Sequence, residues 1–372
     1  MTYVDLWGWF HQQRQQFART QDFQRLRLVT LYERMWTLRE KDPQLAYQLC
    51  QEGITLARTL NEPCWEIFHE NWAYEVLRYY VGDIEAAMKA SVGLIAKLSQ
   101  PRFQGCPINA RAYFTLVSAY FGYDALGYQH EIEDLLAYMQ QHIALDQDTF
   151  LRMEYFRAAM AYELEDYALA EQRVQHYLDL SQHSVFRQRG GYNLLMHIWL
   201  ERRDFSQALD YAEQYLQTSR LESIEGSIAR ALMWVAALEQ KLERPEAAQH
   251  FRQALMKMEH IHEDKGQGYY DALSSYALLI GNEALALAAW DEFLETTKAK
   301  TIPLYLADGL LRRYTVLRYT GDITQNHVDR LYEVAKSLKS VEQFNRQILR
   351  VLSGETPRGM IPVPPRSPST TR

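Results

Sequence analysis

Apolar residues recur at three- and four-residue spacing along most of this chain, and a polar turn signal followed by a small residue interrupts them about every 40 residues. The signal is plainest in Asp166-Tyr-Ala-Leu-Ala-Glu-Gln and Asp204-Phe-Ser-Gln-Ala-Leu-Asp. It recurs as Asp42–Ala46, Asp83–Ala87, Glu243–Ala247 and Asn282–Ala286, with a weaker Gly321-Asp322 echo. The small residues stand at 46, 87, 170, 208, 247 and 286, so the intervals are 41, 83, 38, 39 and 39 residues, the second spanning two periods. Each period reads as two helices, a longer apolar one ending at the turn and a shorter amphipathic one beginning just beyond it. Asp and Asn suit that beginning because their side-chain oxygens accept from the free N–H groups of a first helical turn. Ala four positions later lets the two helices cross closely. Pro63, Pro101, Pro107, Pro245 and Pro303 fall at or near segment ends, where a missing N–H costs least. No β-branched run alternates long enough for a strand. The pattern predicts an all-α chain in which each helix pair packs on the next.

Within this pattern, Arg244-Pro-Glu-Ala-Ala-Gln-His-Phe-Arg-Gln-Ala-Leu255 carries a small–aromatic–small series as Ala247, Phe251 and Ala254. Ala208/Ala212/Tyr215 and Ala170/Val174/Tyr177 hold the same places elsewhere. These residues resemble the tetratricopeptide-repeat superfamily over roughly residues 23–340, in a variant whose period exceeds the usual 34. The resemblance implies a right-handed superhelical solenoid of about eight antiparallel helix pairs, with a groove that binds another protein or a peptide. Residues 1–20 place Leu6, Trp9, Phe10 and Phe17 near one helical face and are expected to cap the stack, which then occupies 21–353. Residues 354–372, rich in Pro and Ser, are expected to form a loose tail. The stretch 104–145 lacks a clean turn signal, and Gly122-Tyr-Asp-Ala-Leu-Gly127 is its best candidate.

A polar stripe on an otherwise apolar first helix marks the side that would line such a groove. The stripes are Asn71, Glu75 and Arg78; Arg111, Thr115 and Ser118; Glu154 and Arg157; Asn193, His197 and Glu201; Ser227 and Arg230; Asp271 and Ser275; and Asp308, Arg312 and Thr315. Five of the seven contain an Arg, the residue that grips carboxylates and phosphates with two parallel donors. Asn71 and Asn193 could hold a peptide backbone through both donor and acceptor. The functional expectation is a groove for an acidic peptide or a C-terminal carboxylate. The simpler one is that each Arg pairs with a neighbouring Glu and keeps the face solvated.

Composition narrows the field further. A net charge of −7 over 372 residues argues against wrapping nucleic acid by bulk charge. Cys50, Cys64 and Cys106 are odd in number without a C-x-x-C spacing, and read as buried thiols of a reducing cytoplasm. The N-terminal stretch lacks a secretion signal, and no apolar run spans a bilayer. His260, His262, Glu263 and Asp264 are the densest set of metal-ligand types, but two His at i and i+2 do not share a helical face. Lys265-Gly-Gln-Gly268 and Arg187-Gln-Arg-Gly-Gly191 lack the strand–loop–helix setting of a phosphate loop, and Gly190 and Gly191 are explained by close helix contact. No cofactor is expected, and the oligomeric state is open. The expected function is therefore a non-enzymatic, cytoplasmic adaptor. The alternatives are a peptide sensor whose superhelix changes shape on binding, and an enzyme built on His197 or the His260/His262 pair.

Overall fold

The computed structural model describes residues 4–261, 267–296, 299 and 302–362. Every regular element among them is a helix. The chain forms two compact units, residues 1–153 and 154–372. The first unit holds α1 (Leu6–Arg19), α2 (Phe23–Leu38), α3 (Pro43–Thr59), α4 (Pro63–Val76), α5 (Ile84–Leu98), α6 (Asn109–Asp124), α7 (Gln129–His142) and the opening turns of α8 (Gln147–Glu163). The second holds the rest of α8, then α9 (Tyr167–Leu180), α10 (Val185–Glu201), α11 (Phe205–Leu221), α12 (Glu225–Lys241), α13 (Ala247–Ile261) and α14 (Gln267–Leu279). It continues through α15 (Glu283–Leu294), α16 (Pro303–Thr320), α17 (Gln325–Ala335) and α18 (Val341–Ser353). Within each unit consecutive helices pack on one another, and some first helices also meet directly, as α4 does α6 and α12 does α14.

The turn chemistry explains the period. Asp42, Asp83, Asp166, Asp204 and Asn282 are N-caps whose side chains accept from the backbone N–H groups of Leu45, Ala86, Leu169, Gln207 and Leu285. The residue before four of these caps (Gly82, Glu165, Arg203 and Gly281) has positive φ, which reverses the chain within one or two residues. Ala46, Ala87, Ala170, Ala208, Ala247 and Ala286 are all 2% exposed or less, so each small side chain is packed into a helix–helix contact. In the stretch without a clean signal, α6 turns into α7 at Asp124, whose carboxylate accepts from the Gly127 N–H at 3.0 Å. A π-helical turn, Leu77–Val81, prolongs α4 up to Gly82. The α1 helix buries Leu6, Phe10 and Phe17, and Trp9 lies 5.0 Å from the Trp65 ring and 6.0 Å from Phe68.

Two expectations need correction. Cys64 and Cys106 are not free thiols; they form a disulfide joining the start of α4 to the loop before α6. Only Cys50 is a free, buried thiol, and burial pushes its pKa up to about 12. Of the expected loose tail, residues 363–372 lie outside the described residues, and the segment 354–362 packs on the rest. It is seated on the second unit as far as Pro362, with Met360 and Ile361 buried.

Candidate functional site

In the first unit the polar stripes face one another across the α4–α6 seam. The Thr115 hydroxyl donates to Asn71 Oδ1 at 2.7 Å, and Arg111 donates to Glu75 through Nε at 2.9 Å and Nη2 at 3.3 Å. The Arg111 guanidinium also lies 3.6 Å from Asp148 and 4.5 Å above the Trp72 ring. The side chains of Arg111 and Glu75 are only 7% and 12% exposed, and Asn71 is wholly buried. Burial by itself would raise the Glu75 pKa. The Arg111 charge outweighs burial and leaves it below the ordinary carboxylate value. Arg78 donates to the Ser118 and Tyr79 hydroxyls, and a Cβ on Gly122 would lie 2.8 Å from its guanidinium. Asn71, Arg78 and Arg111 thus tie first helices together rather than standing free.

In the second unit two more of the stripe arginines are held by carboxylates. Arg157 donates to Glu154 at 2.6 Å. Arg312, on α16, donates to Asp308 at 3.0 Å and to Asp271 of α14. Two carboxylates share that one guanidinium. Burial, opposed by Arg312 and reinforced by Asp308, pushes the Asp271 pKa up to about 6.

Arg230, on α12, is different. It is exposed and has no carboxylate within ion-pairing distance among the described residues. Its charge bears on Tyr155 of α8, His197 of α10 and Tyr215 of α11. Asn193 and His197 stand one turn apart on α10, and Asn193 Oδ1 and His197 Nδ1 are buried without a hydrogen-bond partner. The His197 ring meets Trp234 edge-on at 4.7 Å. Burial, with Arg230 and Arg312 adding to it, lowers the His197 pKa to about 4, so the imidazole is neutral at pH 7. Burial likewise raises Tyr155 to about 12, keeping its hydroxyl protonated. Arg189, four residues before Asn193, donates to Ser227 at 2.9 Å and pairs with Glu222 at 3.3 Å.

Of the expected groove residues, the structure leaves Asn193 and His197, one turn apart on α10, with a buried unpartnered atom each, and Arg230 with a charge that bears on His197. It absorbs Asn71, Arg78, Arg111, Arg157, Asp271 and Arg312 into local pairs. Tyr155, on which the Arg230 charge bears, and the buried Trp234 against His197 are aromatic, so a search for polar residues on apolar helices passes over them. Among the described residues no group of three or more His, Cys, Asp or Glu could hold a metal ion. His262, Glu263, Asp264 and Lys265-Gly266, and the side chain of His260, lie outside what is described. Gly191 lies inside α10, where a Cβ would come 2.5 Å from Leu178, so it serves close helix contact. No helix among the described residues is long and apolar enough to cross a membrane. No protein-family model and no curated protein matches the chain, so the helical repeat stands on its periodicity and packing.

Proposed function

We propose that the chain is a non-enzymatic protein- or peptide-binding adaptor, and that the α8–α10–α12 face of the second unit receives a carboxylate of its partner. The observation that carries this reading is Arg230. It is an exposed guanidinium with no carboxylate in ion-pairing distance among the described residues, and its charge bears on His197, whose Nδ1, like Asn193 Oδ1 one turn away on α10, is buried without a partner. Buried polar atoms are normally satisfied, and an incoming peptide supplies both donors and acceptors. Arg230 would grip the carboxylate, Asn193 would hold backbone, and the Tyr155 ring would give apolar anchorage. The finer form of the fold reading, a right-handed tetratricopeptide-like superhelix of about eight pairs, belongs to this proposal. So does the cytoplasmic setting, against which the Cys64–Cys106 disulfide weighs.

The test is titration of the full chain with short acidic peptides, each as the free acid and as its C-terminal amide. Arg230→Ala is expected to weaken the preferred free acid by about tenfold or more, the loss of one charge-assisted pair. Equal binding of acid and amide forms, unchanged by Arg230→Ala, would sink the proposal.

A further inference from the structure

The segment that follows α18 lies on the second unit as a bound peptide would. It leaves the helix through Gly354, at positive φ, and has no regular secondary structure over residues 355–362. Arg358 is its polar anchor. The guanidinium donates to the Glu163 carboxylate, to the Glu163 carbonyl at 2.5 Å and to the Tyr162 carbonyl at 3.3 Å, and it lies 5.4 Å over the Tyr162 ring. The Gly359 N–H donates to Glu201 at 2.9 Å, and the Arg358 N–H to Gln347 at 2.7 Å. Gly359 has φ of 67°, a turn that aims the next two side chains inward. Met360 then joins the core of Leu310, Leu311 and Tyr314, and Ile361 joins that of Met196 and Trp234. Both side chains also border a cleft with Asp271, Trp290 and Arg312.

Three things distinguish this contact from an ordinary chain end. Its receptor groups, Glu163 and Glu201, lie at the C-terminal ends of α8 and α10, the helices that also carry Tyr155, Asn193 and His197. The Tyr162 ring under Arg358 is 6.1 Å from His197, so the segment is anchored one ring away from that histidine. It is also bordered by a solvent-open pocket of about 300 Å³ between Thr356, Pro357, Met360 and the helix residues Leu200, Phe205 and Lys241.

We infer that Arg358-Gly-Met-Ile361 is an internal ligand of the second unit. The partner that displaces it carries the same chemistry: a basic residue, a glycine turn and two large apolar side chains. This rests on the reading that the second unit's first-helix face binds peptide, and it adds a basic-apolar subsite beside the carboxylate subsite of Arg230. A tethered segment acts at an effective concentration on the order of millimolar, so the tail screens out weak ligands and admits only those that outcompete it.

The probe is a labelled peptide, Thr356-Pro-Arg-Gly-Met-Ile-Pro362, amidated so that its residues offer Arg230 no carboxylate. Anisotropy is read against the full chain, its Arg358→Glu variant, and that variant with Glu163→Gln added, folding being checked by circular dichroism. Arg358→Glu unseats the tail and is expected to bind the probe about tenfold or more tighter than the unaltered chain. Adding Glu163→Gln is expected to abolish that gain, whereas adding Arg230→Ala leaves it in place. If Arg358→Glu fails to fold, Met360→Ser takes its place. Hydrogen exchange in the unaltered chain is expected to show the Gly359 amide protected. Equal binding by the unaltered chain and the variant, binding by neither, or an unprotected Gly359 amide overturns the inference. Because the probe lacks a C-terminal carboxylate, this failure is distinct from the loss of Arg230-dependent binding of free-acid peptides.

Discussion

Arg111 and Arg230 occupy the same kind of position, a polar site on an apolar first helix, and their surroundings make them opposites. Arg111 is buried against Glu75, Asp148 and Trp72, so its charge is spent holding α6 to α4. Removing one partner of such a pair leaves the other charge buried and uncompensated, and Arg111→Ala is expected to destabilise by about 3–5 kcal/mol. Arg230→Ala removes an exposed, unpaired group and is expected to change stability by less than about 0.5 kcal/mol while weakening peptide binding. Urea denaturation of the two variants checks the contrast, and equal losses would contradict it. Both arginines were legible as stripe residues, because three- and four-residue spacing on an apolar helix is a local property. Which of them is neutralised was not. The partner lies about one repeat away, Glu75 for Arg111 and Asp271 for Arg312, and spacing alone does not say which side chains meet across a seam.

Helix pairs are where sequence and structure agree most closely, since cap, turn and small residue act over a few positions. Asp204 caps α11, Arg203 takes the left-handed turn before it, and Ala208 packs without exposed surface. The disulfide escaped that local logic, although the period held the clue. Cys64 and Cys106 are 42 residues apart, about one repeat, and both stand near the start of a first helix, so the stack brings them side by side. Closing a loop of that length is expected to stabilise the first unit by about 4 kcal/mol through the unfolded chain's lost entropy. Calorimetry with and without reductant checks this. A melting temperature unmoved by reduction, with thiol labelling showing the bond broken, would refute it. The seated tail was missed for a related reason: Met360 and Ile361 stand out as apolar in a Pro- and Ser-rich stretch, but their pockets are built from α10, α12 and α16.

At the scale of the whole chain, the two units hold buried titratable groups of different kinds, and acid should act on them unequally. In the first unit His69 is wholly buried beside Trp65 and Phe68; neither ring nitrogen makes a well-formed hydrogen bond, the Leu28 carbonyl being the nearest acceptor. Burial lowers its pKa to about 4 from an ordinary 6.5. A lowered pKa gives stability that is present above pH 6.5 and lost as the pH falls towards 4, a loss of about 3 kcal/mol for the first unit. In the second unit His197 shifts in the same direction, also to about 4, and makes the same contribution. Asp271 runs the other way. Its pKa of about 6 lies above the unfolded carboxylate's, so its contribution is lost as the pH rises through 6 and regained on acidification to 4, by about 3 kcal/mol. Arg312 and Asp308, which face Asp271, and Arg230, which bears on His197, are already included in those directions. The second unit's two changes therefore largely offset one another, whereas the first unit's is unopposed. Between pH 6.5 and 4 the first unit is expected to lose stability and the second to change little, read as protection in native-state hydrogen exchange along each. His69→Phe should remove most of the first unit's loss, and Asp271→Asn should make the second unit acid-sensitive as well. A uniform loss of protection in both units of the unaltered chain would show that these buried groups do not govern its response to acid.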